Sequence, residues 1–346
     1  MELYGTLPDG RAVHRVSLTN RHGLLVRLIS YGARLTELHV PDRDGAMADI
    51  VLGHDTLERY IASTSYFGAT CGRYANRIGK GQFTLDGQPV QLDINEGANH
   101  LHGGQHGFDR KVWGIAAHDA TSVSFTTRSA DGEMGYPGAC DLTTTYGLND
   151  ANRLTITMRA TTTRATVMNM VNHAYFNLAG QGSGDVLDQT LQLTARSYTP
   201  VDAELLATGD IRGVAGTAYD FRTAKPIGQD FAKLGEGTRG YDHNWCLSYA
   251  DTALRPCATA TDPASGRRMT LTTTEPGVQF YTGGFLDDTL PGKQGKPLCR
   301  YAGFTLETQK FPGSPHWPQF PSSRLDPGQT YHHAMKFSFD TVPATP

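Results

Sequence analysis

Glycine and proline interrupt this sequence so often that it favours short strands over helices. The 346 residues include 39 glycines and 18 prolines, and the runs between them alternate apolar and polar residues. Side chains on a strand point alternately to opposite faces, so this alternation predicts strands with one buried face. The segment GQFTLDGQPVQLD, residues 81–93, predicts a hairpin with its turn at Asp86-Gly87.

Five further segments carry the same strand pattern. They are SVSFTTRSA (122–130), LTITMRATTT (154–163), LDQTLQLTARS (187–197), RRMTLTTTEPGVQFYTGG (267–284) and HHAMKFSFDT (332–341). Only HDTLERYIAS has a helical pattern, through Leu57, Tyr60 and Ile61. Many strands with almost no helix predict an all-β fold, a large antiparallel β-sandwich. No linker or repeat divides the chain, so we predict one domain over residues 1–346.

Composition narrows the possible partners. The net charge is −3 without a basic patch, so no nucleic acid is expected and a neutral small molecule is favoured. No stretch is apolar enough for a membrane span, and the N-terminal MELYGTLPDG lacks the features of a signal peptide. Cys71, Cys140, Cys246, Cys257 and Cys299 have no zinc-site spacing. They predict reduced core thiols and hence a cytoplasmic protein. We separately expect the protein to be a monomer.

The segment TVMNMVNHAYFNLAG, residues 166–180, has two unlike rows of side chains when it is read as a strand. One row is apolar and predicts a core face. It comprises Met168, Met170, Ala174, Phe176 and Leu178. The opposite row comprises Asn169, Val171, His173, Tyr175 and Asn177. This second row is too polar for a core, yet it lacks the Lys and Glu that are typical of a solvated face.

Two other strands combine an apolar row with a polar one. In GFTLETQ the polar row contains Glu307 and Gln309, and in GVQFYTG it contains Gln279 and Tyr281. A solvated face would explain any one of these strands. Three polar rows that hold His, Asn, Tyr, Gln and one Glu predict instead the lining of a groove that hydrogen-bonds a polyhydroxylated ligand.

Seven motifs extend this pattern along the chain. They are GRYANRI (72–78), NHLHGG (99–104), VNHAYFNLAG (171–180), GTAYDFR (216–222), GYDHNW (240–245), PGVQFYTGG (276–284) and LETQKFP (306–312). In this order they resemble the motifs of the aldose 1-epimerase family. The resemblance implies a β-supersandwich with an open sugar-binding groove. It also implies interconversion of the α and β anomers of an aldose such as galactose or glucose.

The same resemblance implies roles for individual residues. The glutamate of LETQ, Glu307, would be the general base, and the histidine of NHAYFNL, His173, would be the general acid. The residues implied to bind the sugar are Arg77, Asn76, His102, Asp242 and Gln279. Ala174 and Tyr74 stand where many relatives carry Ser and Val. Both flank site residues, so they bear on sugar preference and not on the chemistry.

The chemistry of anomer exchange suits these residue types. The C1 hydroxyl must lose a proton while the ring oxygen O5 gains one. The C1–O5 bond then breaks, C1–C2 rotates, and the ring closes with both proton transfers reversed. One base beside O1 and one acid beside O5 complete the cycle. A carboxylate suits the first role, and a histidine that holds its proton near neutral pH suits the second. No group or electron is exchanged, so neither a cofactor nor a metal is expected.

Other functions fit parts of the pattern. A sugar-binding module would keep Arg77, His102 and Asp242 without both proton-transfer groups. A glycoside hydrolase usually has two carboxylates that flank one bond, whereas the motifs supply one Glu and one His. A sugar-phosphate epimerase would need a cationic phosphate clamp, and Arg77 is the only cation among the matched residues. His100, His102 and His106 suggest a metal cluster, but no carboxylate or Cys completes a first shell with them.

Overall fold

Antiparallel strands dominate the structure, a computed structural model that describes residues 1–235, 237–247, 252–287 and 289–344. In chain order the strands of this described part are β1 (Glu2–Thr6), β2 (Ala12–Thr19), β3 (Leu25–Ile29), β4 (Arg34–Pro41), β5 (Met47–Asp49), β6 (Thr70–Cys71), β7 (Arg77–Ile78), β8 (Gln82–Leu85), β9 (Gln88–Gln91), β10 (His100–Leu101), β11 (Gly114–His118), β12 (Ser122–Ser129), β13 (Cys140–Asn149), β14 (Arg153–Thr162), β15 (Thr166–Val167), β16 (Val171–Asn172), β17 (Tyr175–Phe176), β18 (Thr190–Leu193), β19 (Ser197–Thr199), β20 (Arg212–Gly213), β21 (Lys225–Pro226), β22 (Asp242–Cys246), β23 (Arg255–Thr261), β24 (Arg267–Thr273), β25 (Gly277–Tyr281), β26 (Phe304–Gln309), β27 (Arg324–Leu325) and β28 (Tyr331–Thr341).

Helical structure is scarce in the described residues, as predicted. The segment with the helical pattern forms a short α-helix, α1 (Leu57–Ala62), and the Thr56 hydroxyl accepts a hydrogen bond from the Arg59 N–H at its start. The remaining helical residues form single 3-10 turns at Gly79–Gly81, Phe108–Arg110, Glu133–Gly135, Phe231–Lys233, Lys293–Gly295 and Ser314–His316. None of the described helices is long and apolar enough to cross a membrane.

The strands form three large sheets. The first has the order β1-β2-β3-β4-β5, the second β11-β12-β13-β14-β28-β24-β23-β18-β21, and the third β17-β26-β25-β22-β19-β20. The described residues also form four two-stranded sheets, β10-β7, β15-β27, β16-β6 and β8-β9. This architecture confirms the predicted all-β antiparallel fold. One hydrophobic cluster takes residues from all three large sheets, including Val26 on β3, Ile156 on β14 and Phe280 on β25.

Alternation of buried and solvent-facing residues is clearest in the nine-stranded sheet. On β14, Leu154, Ile156 and Met158 lie in the core, while the side chains between them face outward. The predicted hairpin is also present, because β8 pairs with β9 around Asp86 and Gly87. Both turn residues have positive φ angles, 52° and 75°, as a two-residue hairpin turn of this kind requires. Period-two patterning therefore predicted both elements correctly.

The segment 166–180 differs from the single strand that its alternation predicted. It forms the three short strands β15, β16 and β17, which pair with β27, β6 and β26 in three different sheets. The predicted apolar row does lie in the core. On the polar row, Asn169 and Asn177 do not face a groove. The Asn169 side-chain amide bridges the backbone of Ala75 and Lys310, and the Asn177 side-chain amide donates to backbone carbonyls. These bonds satisfy loop backbone that has no strand partner where the segment passes from one sheet to the next.

The cysteines follow the prediction at four of five positions. Cys71, Cys140, Cys246 and Cys257 are buried and free, whereas Cys299 is free but exposed. The expectation of a buried thiol is therefore wrong at Cys299. The prediction of a single domain stays a prediction.

Candidate functional site

Three neighbouring strands of the six-stranded sheet carry polar side chains on one shared face. Glu307 on β26 is paired with Gln279 on β25, which is paired with Asn244 on β22. Two residues further along these strands, Asp242 is paired with Tyr281. Directly paired residues point to the same side of a sheet. Both faces of β25 and β26 are buried. One face packs on the core, and the other carries polar side chains that line a cavity.

A two-stranded sheet supplies a second set of polar groups. Arg77 on β7 is paired with Leu101 on β10, so that Asn76 and His102 lie at its edge. The His102 N–H donates to the Asn76 carbonyl at 3.2 Å, and the Asn76 N–H donates to Nδ1 of His102 at 3.3 Å. Asn76 and His102 both have positive φ angles, 64° and 51°. These reciprocal hydrogen bonds fix a backbone conformation that non-glycine residues rarely adopt.

One cavity of about 190 Å³ lies between these two sheets. Its walls include all seven predicted site residues: Asn76, Arg77, His102, His173, Asp242, Gln279 and Glu307. The structure thus brings together side chains that are up to 231 positions apart in the sequence (307 minus 76). A cavity lined by hydrogen-bonding groups and aromatic rings suits a small polyhydroxylated molecule.

His173 and Glu307 are adjacent in this cavity. Nε2 of His173 lies 3.5 Å from Oε1 of Glu307, and both side chains are almost fully buried. Oε1 of Glu307 also accepts a hydrogen bond from the Thr305 hydroxyl at 2.8 Å. Among the described residues, Oε2 of Glu307 and Nδ1 of His173 have no hydrogen-bond partner. Two buried titratable groups with unsatisfied atoms are characteristic of a functional site.

Burial sets the protonation of this pair. It raises the pKa of Glu307 to about 8, against the Thr305 hydrogen bond, with a smaller upward contribution from Asp242. It lowers the pKa of His173 to about 4. Both shifts favour the neutral forms, so that a proton shared by the pair is favoured on Glu307 over His173. Desolvation thus opposes the imidazolium form that the expected acid role of His173 requires.

His102 is oriented as a hydrogen-bond donor. Since Nδ1 accepts the Asn76 N–H, the proton of the neutral imidazole is on Nε2. Burial, reinforced by the nearby His173 and Arg77, lowers the pKa of His102 well below its usual range. One ligand atom each of His102, His173 and Glu307 lie within 4.8 Å of one another. A metal bound through Nε2 would require the proton on Nδ1, which conflicts with the hydrogen bond from the Asn76 N–H, so the surroundings of His102 disfavour its use as a metal ligand.

Arg77 and Asp242 form the charged side of the cavity. Nε and Nη2 of Arg77 donate to the carboxylate of Glu96 at 2.8 and 2.5 Å. Nη1 of Arg77 lies 3.9 Å from Oδ2 of Asp242. The other oxygen of Asp242 accepts a hydrogen bond from the Gln279 amide at 2.7 Å. Burial raises the pKa of Asp242, while Arg77 and the Gln279 hydrogen bond oppose this rise.

Nine further described residues line the cavity. They are Thr64, Ser65, Tyr66, Glu96, Leu101, Tyr175, Tyr281, Phe285 and Leu286. Tyr175 and Tyr281 belong to the polar rows that were predicted to line a groove, although no individual role was assigned to them. Tyr66 and Glu96 lie on loops that have no period, and the sequence gives no signal for them. The Tyr66 ring packs against His102 and His173, with centroid distances of 4.6 and 5.6 Å.

Other predicted features lie outside the cavity. Ala174 belongs to the hydrophobic core, and Tyr74 is fully buried, with its hydroxyl donating to the Phe311 carbonyl. Neither side chain lines the cavity. Any influence of these two residues on sugar preference would therefore be indirect. Both nitrogens of His100 have partners, the Asp93 carbonyl and the Tyr136 hydroxyl. His106 is exposed. Within the described residues His100, His102 and His106 form no metal-binding group.

Comparison with known proteins gives a consistent result. A family model described as aldose 1-epimerase matches residues 14–338. A protein from Rattus norvegicus named galactose mutarotase is 44% identical over 341 residues, covering 98% of each chain. A protein from Escherichia coli (strain K12) named aldose 1-epimerase is 37% identical over 337 residues, covering 96% of each chain.

Solved structures agree with the sequence comparisons. An aldose epimerase homologue from C. elegans superposes with a TM-score of 0.88 at 30% identity, covering 96% of this chain and 100% of that one. A galactose 1-epimerase from Lactobacillus acidophilus NCFM has a TM-score of 0.84 at 28% identity, covering 99% and 98%. The similarity therefore extends over nearly the whole chain in both sequence and fold.

Proposed function

The chain belongs to the aldose 1-epimerase family, and from this premise we propose that it interconverts the α and β anomers of a free aldose such as galactose or glucose. One observation carries the proposal. His173 and Glu307 lie side by side, 3.5 Å apart, in a small cavity of polar groups. Because O1 and O5 of an aldose are both bonded to C1, an acid and a base that serve them must be close neighbours.

In the proposed reaction, Glu307 removes the proton from the C1 hydroxyl while His173 protonates O5. The C1–O5 bond breaks and leaves an open-chain aldehyde. After rotation about C1–C2 the O5 hydroxyl attacks the other face of the carbonyl, His173 takes its proton back, and Glu307 returns a proton to O1. The atoms and charges balance over the cycle, so the pair ends as it began.

The proposed reaction requires one proton on the His173–Glu307 pair. One group must carry a proton and the other must be free to accept one. Burial by itself favours the proton on Glu307. Sugar hydroxyls that donate to the carboxylate, and a ring oxygen that accepts from the imidazole, favour the other arrangement, with ionised Glu307 and protonated His173. Binding of the sugar would thereby prepare the pair for ring opening.

The remaining predicted residues would hold the sugar. Arg77 and His102 present N–H donors to the cavity, whereas Asp242 presents a carboxylate acceptor. Charged groups make hydrogen bonds roughly twice as strong as neutral ones. Gln279 binds Asp242 and accepts a hydrogen bond from Gln309 at 3.1 Å, which fixes its own amide. Asn76 supports His102 through the backbone pairing at the edge of β7 and β10.

We also propose that the protein acts as a cytoplasmic monomer without nucleic-acid or membrane partners. Four buried free thiols suit a reducing compartment. Light scattering after size-exclusion chromatography should give the mass of one chain, and a dimer mass would contradict the proposal.

Polarimetry tests the proposed activity. Freshly dissolved α-galactose, α-glucose, α-L-arabinose and glucose 6-phosphate should be followed with and without the protein. We expect faster approach to anomeric equilibrium with at least one free aldose, and no acceleration with the Glu307→Gln variant. Acceleration with glucose 6-phosphate alone would indicate a sugar-phosphate epimerase. Sugar binding without acceleration on any of the four would indicate a binding module.

A further inference from the structure

Glu96 holds the guanidinium of Arg77 through two nearly parallel hydrogen bonds. Both carboxylate oxygens accept, one from Nε and one from Nη2. This two-bond arrangement fixes the guanidinium in one orientation. The Arg77 side chain is 10% exposed and that of Glu96 is 35% exposed, so the pair lies at the inner edge of the cavity and not on the open surface.

The pairing leaves the third nitrogen of Arg77 directed to Asp242. Nη1 of Arg77 is 3.9 Å from Oδ2 of Asp242, which is longer than a hydrogen bond. Oδ1 of Asp242 is already bound by Gln279. The cavity thus contains one cationic donor and one anionic acceptor that face each other as a long ion pair without a direct hydrogen bond. Both remain available to a ligand that enters between them.

We propose that Glu96 is a positioning residue that keeps the Arg77 guanidinium from hydrogen-bonding to the Asp242 carboxylate. Both groups then remain available to bind the sugar. This inference rests on the proposed function, because the ligand is taken to be the aldose. A buried guanidinium that lost Glu96 would need another anion. Asp242 is the nearest candidate at 3.9 Å, and shortening of this long ion pair to a hydrogen-bonded one would occupy the groups that should hold sugar hydroxyls.

Kinetic constants of Glu96 variants test the inference. Glu96→Ala should raise KM for the best aldose roughly 10- to 100-fold, as expected when one charge-assisted hydrogen bond to the substrate is lost. The kcat value should fall by less than about threefold, because His173 and Glu307 are unchanged. Glu96→Gln can accept only one of the two hydrogen bonds and should be intermediate. Glu96→Asp keeps the charge and should be the mildest variant.

A double-mutant cycle separates this role from simple support of Arg77. In the Asp242→Asn background the anion to which Arg77 would move is gone. The additional effect of Glu96→Ala on KM should therefore be several-fold smaller there than in the wild type. Equal effects in the two backgrounds would overturn the proposed competition between Glu96 and Asp242.

The matched control is Asp340→Asn. Asp340 on β28 forms a similar two-bond pair with Arg268 on the neighbouring strand β24, at 2.7 and 2.6 Å, on the solvent-facing side of the nine-stranded sheet. It should leave KM and kcat unchanged. Thermal unfolding of each variant checks that it is folded. If Glu96→Ala lowered the unfolding temperature and kcat together at constant KM, Glu96 would be merely structural and the inference would fail.

Calorimetric titration with galactose and with glucose keeps the two proposals distinguishable. Weaker binding to Glu96→Ala than to the wild type supports the inference even if the wild type accelerates no anomer exchange, in which case only the proposed function fails. Unchanged binding in an active enzyme overturns the role of Glu96 and leaves the proposed function intact.

Discussion

Nε2 of His173 lies 3.5 Å from Oε1 of Glu307, and each residue keeps one buried polar atom without a partner in the described structure. Unsatisfied buried groups of this kind lower stability. Their occurrence side by side, in the cavity that contains every predicted binding residue, is explained by a ligand that supplies the missing hydrogen bonds. Five expected outcomes follow from this arrangement and its surroundings.

Removal of either proton-transfer group should abolish most of the activity. Glu307→Gln and His173→Asn should each lower kcat/KM by roughly 100-fold or more, the usual contribution of a positioned acid or base. Polarimetry gives the rates, and circular dichroism checks the fold. A variant that kept over about a tenth of the activity would have lost less than about 1.4 kcal/mol of transition-state stabilisation. That loss is too small for an essential acid or base.

The activity should depend on pH through the shared proton. Above the pKa of Glu307, about 8, the pair has lost its proton and cannot protonate O5. Below the pKa of His173, about 4, both groups are protonated and no base remains. We expect kcat/KM of the free enzyme to be bell-shaped, with its maximum between these values. A profile that is flat from pH 4 to pH 9 would refute the assignment.

Glu307 should make the free energy of unfolding fall as the pH rises. A carboxylate whose pKa is lowered on folding would have the opposite effect. Because the pKa of Glu307 is raised from 4.5 to about 8 on folding, ionisation opposes the folded state. Its favourable contribution is complete below pH 4.5 and is lost as the pH rises to about 8. Glu307→Gln should therefore gain stability over the wild type across this range, on the order of 1 kcal/mol per pH unit. Urea unfolding at pH 5 and pH 8 measures the difference, and equal differences at both would contradict it.

Asp242→Asn should weaken sugar binding more than proton transfer. The carboxylate moves no proton in the proposed cycle and would accept hydrogen bonds from ring hydroxyls. Such bonds to a charged group are worth about 1.5–3 kcal/mol, so KM should rise roughly 10- to 100-fold. A smaller loss of kcat is expected because a loosely held ring presents O1 and O5 less well. A collapse of kcat at constant KM would place Asp242 in the proton-transfer machinery.

Exhaustive chelation should leave the activity unchanged. The mechanism uses only side-chain protons, and the hydrogen bond from the Asn76 N–H to Nδ1 of His102 favours the tautomer that does not bind a metal through Nε2. The rate should be measured before and after dialysis against a strong chelator. Loss of activity that one added divalent ion restores would show that a metal takes part.

The sequence predicted those parts of the fold that depend on local periodicity. The alternation on β14 and the Asp86-Gly87 turn are local features, and both are present. The division of residues 166–180 into three short strands was not predicted, because each strand is fixed by a partner far along the chain. For the site, alternation placed His173, Glu307 and Gln279 on polar rows, and the family resemblance supplied their roles and the other four residues. The shared cavity of all seven depends on cross-strand register.

Loop residues were the least predictable part of the site. Glu96 reaches Arg77 from a loop with no regular pattern, and the effect of burial on His173 depends on what packs around it. Neither property can be obtained from residue type or spacing. A charged side chain in an irregular segment is most often solvated, so Glu96 gave no reason to single it out.

The two-part construction of the cavity has a consequence for how such proteins diversify. Glu307 and Gln279 are held by the register of the six-stranded sheet, while Arg77, His102 and Glu96 come from the β7–β10 pair and its loop. A substitution in the β7–β10 pair or its loop is expected to change sugar specificity more than the position of Glu307, which the six-stranded sheet holds. Engineering of substrate range should therefore begin at the β7–β10 loop.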